Sequence, residues 1–183
     1  MDVLDTKFPE VKVFTPRRFA DDRGYFTETY TKNKLDPLAP GFEFVQDNES
    51  YSKDAYTVRG LHYQAPPRAQ DKLVRVIRGR IFDVFVDVRK GSSTFGQWDG
   101  VTLSGEGGDQ VLVPRGFLHG FMTLEPETIV AYKVTDFYDG RSDGAVHWAS
   151  PSIGIKWPAP AINAVLSAKD QAAPTFADWT SPF

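Results

Sequence analysis

An all-β domain, built as a sandwich or barrel with a few short helices at its periphery, is what this sequence predicts. Three observations lead there. Short β-branched or aromatic runs recur between residues 41 and 148, and Gly, Pro, Asn and Asp punctuate them. Helical patterning is weak and sits near the ends of the chain. No Gly-rich loop feeds a helix, so a parallel α/β nucleotide-binding fold is not expected.

The elements follow in order. An N-terminal arm of about residues 1–40 carries one short helix over Tyr30 to Leu38, stopped by Pro37 and Pro40. Strands are expected at Phe42-Glu43-Phe44-Val45 and at Thr57-Val58-Arg59. The clearest hairpin is 72–88: Lys72 to Ile77, a turn at Arg78-Gly79-Arg80, then Ile81 to Val88. Its second strand alternates, with Phe82, Val84, Val86 and Val88 on one face. The other face carries Ile81, Asp83, Phe85 and Asp87, so it is either solvated or lines a polar cavity. Further strands are expected at Val111 to Val113, Gly120 to Leu124 and Thr128 to Thr135. Residues 158–183, with Pro158, Pro160, Pro174 and Pro182, read as a loose tail with one turn near Leu166. No linker divides the 183 residues, so one domain is expected over 1–183.

Composition excludes several functions. Lys plus Arg total 21 and Asp plus Glu 24, a net charge of −3 with no basic stripe, which argues against nucleic-acid binding. There is no cysteine, hence neither disulfide nor thiolate metal site. No apolar run reaches the roughly 18 residues of a membrane helix. The acidic start Met1-Asp2-Val3-Leu4-Asp5 lacks a signal-peptide core, so a cytoplasmic protein is expected.

Only three histidines, His62, His119 and His147, can serve as a neutral-pH base. His62 lies in the densest polar stretch, between Arg59 and Gln64. Taken alone it fits a core histidine as well as a general base. Strict alternation puts Gly60, His62 and Gln64 opposite Arg59, Leu61 and Tyr63, so Arg59 and His62 share a site only if the strand bends. His119 alone reads as structural, and His147 as a packing residue. Tyr132 alone reads as a buried tyrosine. Arg23, Arg59, Lys72 and Lys169 can supply cations for a diphosphate. Metal is not expected: no His-x-His pair exists, position 64 is Gln64, and two imidazoles without thiolate make a poor zinc set.

Taken together these motifs resemble the dTDP-4-dehydrorhamnose 3,5-epimerase family, a branch of the cupins. The resemblance rests on Asp21-Asp22-Arg23-Gly24-Tyr25-Phe26-Thr27-Glu28, Val45-Gln46-Asp47-Asn48 and Arg59-Gly60-Leu61-His62-Tyr63-Gln64. It continues through Lys72-Leu73-Val74-Arg75-Val76, Pro114 to Phe121, Tyr132-Lys133-Val134-Thr135 and Leu166-Ser167-Ala168-Lys169-Asp170. The match keeps this order from roughly residue 5 to residue 175. It implies a cupin-type jelly-roll barrel, a homodimer, no metal or other cofactor, and a dTDP-4-keto-6-deoxyhexose substrate. It also implies roles: His62 the base, Asp170 its orienting partner, Tyr132 the acid on the opposite face, and Lys72 the cation at the enolate oxygen. Tyr138 matches the aromatic that stacks on thymine. Arg23, Glu28, Gln46, Asp47, Asn48, Arg59, His119, Asp143 and Lys169 match substrate contacts, and Asp83 a supporting residue behind them. Two positions depart from the family pattern: Asp143 stands where Glu is common, and Ser150 where Asp is common.

The implied reaction is epimerisation at C3 and C5 of dTDP-4-dehydro-6-deoxy-D-glucose, in dTDP-L-rhamnose and surface polysaccharide synthesis. The chemistry is coherent without the family name. Inverting a carbon beside a ketone needs a base on one face, an acid on the other and a cation at the oxygen. The alternatives are a mono-epimerase at C5 or C3 in secondary-metabolite deoxysugar synthesis, a non-catalytic sugar-nucleotide binder, and a metal-dependent cupin oxygenase.

Overall fold

The computed structural model describes residues 2–183. In chain order the strands are β1 (Asp2–Asp5), β2 (Lys12–Thr15), β3 (Arg18–Asp21), β4 (Gly24–Thr27), β5 (Gln46–Ser52), β6 (Val58–Gln64) and β7 (Lys72–Arg78). They continue as β8 (Arg80–Asp87), β9 (Trp98–Ser104), β10 (Gln110–Val113), β11 (Phe117–Thr123), β12 (Thr128–Val134) and β13 (Asp143–Ala145). Two short helices, α1 (Lys32–Leu35) and α2 (Ala168–Gln171), and a 3₁₀ turn at Ala161–Asn163 complete the elements.

Two sheets face each other as a jelly roll. One has the order β1-β2-β10-β7-β12-β5, the other β13-β6-β11-β8-β9, and β3-β4 form a separate ribbon. Val74, Val76, Val111, Val113 and Val130 of the first sheet meet Ile81, Phe85, Leu103, Phe117 and Phe121 of the second, with Phe8 and Val11 closing one end. The second sheet is also covered on its outer side: Leu61, Val84, Val86, Leu118 and Val146 pack there with Phe176, Trp179 and Phe183. This double burial explains why β8 alternates without a solvated face. Asp87, turned inward with Phe85, is buried but accepts bonds from Arg89, Ser92 and Thr94.

Four expectations need correction. Residues 72–88 are two strands but not a hairpin: β7 lies between β10 and β12, β8 between β11 and β9. Gly79 alone joins them, one residue fewer than a tight two-residue hairpin loop, and it carries the chain from one sheet to the other. Phe42 to Val45 is not a strand; Phe42 and Phe44 instead pack beside Phe14, Leu35 and Leu73. The helix expected over Tyr30–Leu38 is trimmed to Lys32–Leu35, because Pro37 has no N–H to continue the ladder. The segment 158–183 is not loose. Trp179 donates to the Tyr63 hydroxyl (3.0 Å), His147 N to Pro174 O (2.7 Å), and Lys90 N to Phe183 O (3.1 Å). Ser150, buried, joins this clasp by donating to His147 O and accepting from Phe176 N.

One irregularity positions the site. Along β6 and β11, His62 pairs with His119 and Arg59 with Phe121, so three steps on β6 match two on β11. Gly60 and Leu61 together oppose Gly120, a bulge on β6. A Cβ on Gly60 would stand 2.5 Å from the Gly120 Cα, and φ at Gly60 is +140°. Gly60→Ala is therefore expected to cost about 2–4 kcal/mol from backbone strain plus overpacking. Thermal unfolding would read this as a fall on the order of 10 °C in Tm; an unchanged Tm would show the seam is not tight.

Candidate active site

The bulge resolves the phase problem at Arg59 and His62. The extra residue turns both onto the inner face, where they line one cavity of about 380 Å³, while Leu61 and Tyr63 join the outer core. The cavity is also lined by Lys72 from the start of β7, His119 from β11, Tyr132 from β12, and Lys169 and Asp170 from α2. Val58, Phe121, Val165 and Leu166 add an apolar stretch of wall, with Ser50, Thr57 and Ser167 completing it.

His62 Nε2 lies 2.6 Å from Asp170 Oδ1. Donation from Nε2–H to that carboxylate leaves the Nδ1 lone pair for the cavity. Asp170 is held by Ser167, the N-cap of α2, which accepts from Asp170 N at 3.1 Å. Burial works against the Asp170 carboxylate. Hydrogen bonding and charge from His62, with bonds from Ser167 and the Gly60 backbone, outweigh it and hold its pKa below the ordinary value.

Lys72 sits at the junction of three strands, paired with Val113 and Val134. Burial lowers its ammonium pKa from 10.5 to about 8, although Asp83 and Asp143 pull the other way. Tyr132 is the register partner of Asn48 and Val74. Burial pushes its phenol above the ordinary value, partly offset by the Arg59 cation. Arg59 itself is fixed by donation to Ser52 Oγ (3.1 Å) and Tyr51 O (2.8 Å). His119 Nε2 meets both oxygens of the fully buried Asp83, at 3.0 and 2.9 Å, so this β8 carboxylate lies behind the cavity-lining imidazole and neither faces solvent nor lines the cavity itself.

At the mouth, Lys169 pairs with Asp143, and the Tyr138 hydroxyl lies 3.5 Å from the same carboxylate. Gln46 accepts from Tyr138 N at 3.1 Å and donates to Asn48 at 2.8 Å. Three expected contacts lie elsewhere in the single chain. Asp47 faces outward and pairs with Lys133, because alternation from Gln46 and Asn48 turns it away. Arg23 is exposed on the β3–β4 turn beside Asp21, and Glu28 pairs with Lys34. His147 stays outside the site; its Nδ1 accepts from Ala149 N.

Sequence reasoning missed Ser50, whose hydroxyl lies in the cavity wall, buried and without a partner among the described residues. It also missed Ser52 as the holder of Arg59. A signal for α2 was present: Ser167-x-x-Asp170 is a helix-start pattern.

Comparison with known proteins adds to this geometry. The family profile described as dTDP-4-dehydrorhamnose 3,5-epimerase matches residues 5–178. A dTDP-4-dehydrorhamnose 3,5-epimerase of Sinorhizobium fredii is 48% identical over 174 residues, 95% of this chain and 89% of that one. The crystal structure of the Bacillus anthracis enzyme with TDP and pyrophosphate bound superposes with a TM-score of 0.92 at 49% identity, covering 95% and 98% of the two chains. The Legionella pneumophila enzyme in complex with dTDP-4-keto-L-rhamnose gives 0.91 at 42% identity, covering 95% and 92%.

Proposed function

We infer the chemistry of this site from the premise that the chain belongs to the dTDP-4-dehydrorhamnose 3,5-epimerase family. It is an isomerase that epimerises dTDP-4-dehydro-6-deoxy-D-glucose at C3 and C5 to dTDP-4-dehydro-L-rhamnose, in dTDP-rhamnose biosynthesis. The observation that carries our mechanism is that His62 and Tyr132 line one cavity from opposite sheets. A sugar ring held between the sheets meets a base on one face and an acid on the other.

In the first half-reaction His62 Nδ1 takes the proton from C3 or C5. The C–H electron pair moves into the ring bond and on to the C4 oxygen, forming an enolate. Lys72 Nζ donates to that oxygen, where the negative charge develops. The Tyr132 hydroxyl then protonates the same carbon from the opposite face, and the resulting phenolate is eased by Arg59. Return of a proton to Tyr132 and loss of one from His62, both by way of solvent, reset the site. C3 and C5 flank the same carbonyl, so one constellation serves both in turn. These steps move protons only and call for neither a redox group nor a metal. In this reading Tyr138 stacks on the base, while Arg59, His119 and Lys169 hold the substrate with Gln46, Asn48 and Asp143 at the mouth. Turnover in deuterated water tests it: label at both C3 and C5 is expected, and label at one centre alone means a mono-epimerase.

The finer proposal for partners is a homodimer, in the cytoplasm where nucleotide sugars are made. The β3–β4 ribbon leaves Phe19, Tyr25 and Phe26 exposed at 48%, 57% and 65%, an apolar ribbon that calls for a partner surface. Arg23 and Glu28 flank it, so a second copy docked there receives them at its own cavity. Phe26→Asp is expected to shift the sedimenting species from dimer to monomer and to weaken dTDP binding; a dimer that persists with dTDP binding unchanged removes this assignment.

A further inference from the structure

Gln64 takes no part in the proton transfers, yet it is 5% exposed and its amide is fully engaged. Its Nε2 donates to Arg68 O and to Phe137 O (3.0 Å), and its Oε1 accepts from Asp139 N at 2.9 Å. Two more glutamines address the same stretch. Gln46 accepts from Tyr138 N at 3.1 Å, and Gln70 donates to Asp136 O at 2.7 Å. Four successive residues, 136 to 139, thus have one backbone group each bonded to a glutamine side chain from β5, β6 or the loop before β7. A loop residue this exposed ordinarily satisfies its backbone with water. Here the backbone is fixed while Tyr138 as a whole stays 64% exposed beside the cavity mouth.

We propose that Gln64 is a positioning residue that presents the Tyr138 ring to the nucleotide base. An aromatic platform held in its binding pose loses less conformational freedom when a ligand arrives. A side-chain clamp achieves this without lengthening a strand that would cover the mouth. The inference rests on the stacking role given to Tyr138 above. Of the three glutamines, Gln64 is the one that grips the loop at two points, on either side of Tyr138. It also sits two residues from His62 on the same strand, so it ties the base-carrying strand to the nucleotide-facing loop.

The test compares Gln64→Met, Tyr138→Ala and the double variant in the full-length enzyme. Titration calorimetry gives the dTDP affinity, steady-state assay gives kcat and KM, and amide hydrogen exchange reports on residues 137–139. Gln64→Met is expected to raise the dTDP Kd and the KM about tenfold with kcat within about twofold, and to speed exchange at Asp139. In the Tyr138→Ala background the same substitution is expected to change dTDP affinity little, because its effect passes through the ring. Gln64→Glu, which retains an acceptor for Asp139 N, is expected to keep more of the Asp139 protection than Gln64→Met and serves if the latter does not fold. Losses that add fully in the double variant, a fall in kcat at constant KM, or unchanged exchange at Asp139 each overturn the clamp. Wild-type dTDP affinity in Tyr138→Ala overturns the stacking role instead, with Asp139 exchange still reporting on the clamp.

Discussion

His62→Ala is expected to lower solvent exchange at C3 and C5 by about 10³-fold, within the 10²–10⁴ range of a positioned general base. Two features set the size. The imidazole faces Tyr132 from the opposite sheet, and the nearly buried Asp170 carboxylate orients it through a 2.6 Å contact. Tyr132, protonated by its buried setting, cannot take over as base. Binding is a separate matter, because Arg59, Lys169 and His119 remain. The dTDP Kd is therefore expected to stay within about tenfold, some 1.4 kcal/mol. Exchange measured by proton NMR in deuterated water checks the first statement and titration calorimetry the second. Exchange at the wild-type rate would mean another base. Asp170→Asn keeps the ring but removes the charge that orients it, and a smaller loss is expected.

Lys72→Met is expected to lower kcat by about 10²–10³, about 3–4 kcal/mol, the scale of a lost donor at a developing oxyanion. The near-isosteric side chain keeps the packing at the β7 start and removes the charge. The pH profile identifies the cause. The ammonium form does the work and is populated below its pKa of about 8, so kcat/KM is expected to fall as pH rises through about 8. Tyr132 and Lys169 both have raised pKa values, Tyr132 through burial and Lys169 through its bond to Asp143, and neither supplies that limb. The residual activity of Lys72→Met should lack it; a limb that persists there assigns it elsewhere. Stability moves the opposite way. Between pH 8 and 10.5 the unfolded chain binds the Lys72 proton more tightly than the folded one, so the fold gains stability as pH rises across that interval.

Much of the fold was legible because strands announce themselves locally: β-branched runs between turn residues marked β6, β7, β8, β10, β11 and β12. Their partners were not legible. The 72–88 segment reads as a hairpin because alternation describes one strand at a time, whereas its two halves join different sheets. The site was legible in residue type and motif order more than in geometry. Arg59 and His62, three apart, belong to opposite faces of any regular strand, and only the unequal count against Gly120 brings them together. Asp170 sits in a tail whose four prolines suggested looseness. Trp179, Phe176 and Phe183 bind that tail to the outer core, a long-range fact no local window contains. Asp47 shows the reverse: it belongs to a shared motif, yet its place in the alternation sends it to the outer surface.

The β6 bulge carries a consequence for anyone moving this chemistry to another scaffold. The surplus residue on one strand and the bare glycine on its neighbour are useful only as a pair. A graft that copies the histidine-bearing strand alone would import the clash without the space that accommodates it. Deleting Leu61 to regularise the strand would rotate either His62 or Arg59 out of the cavity. The smallest transferable unit is therefore the two strands together, with both Gly60 and Gly120 kept bare, because a Cβ on either would meet the other's Cα.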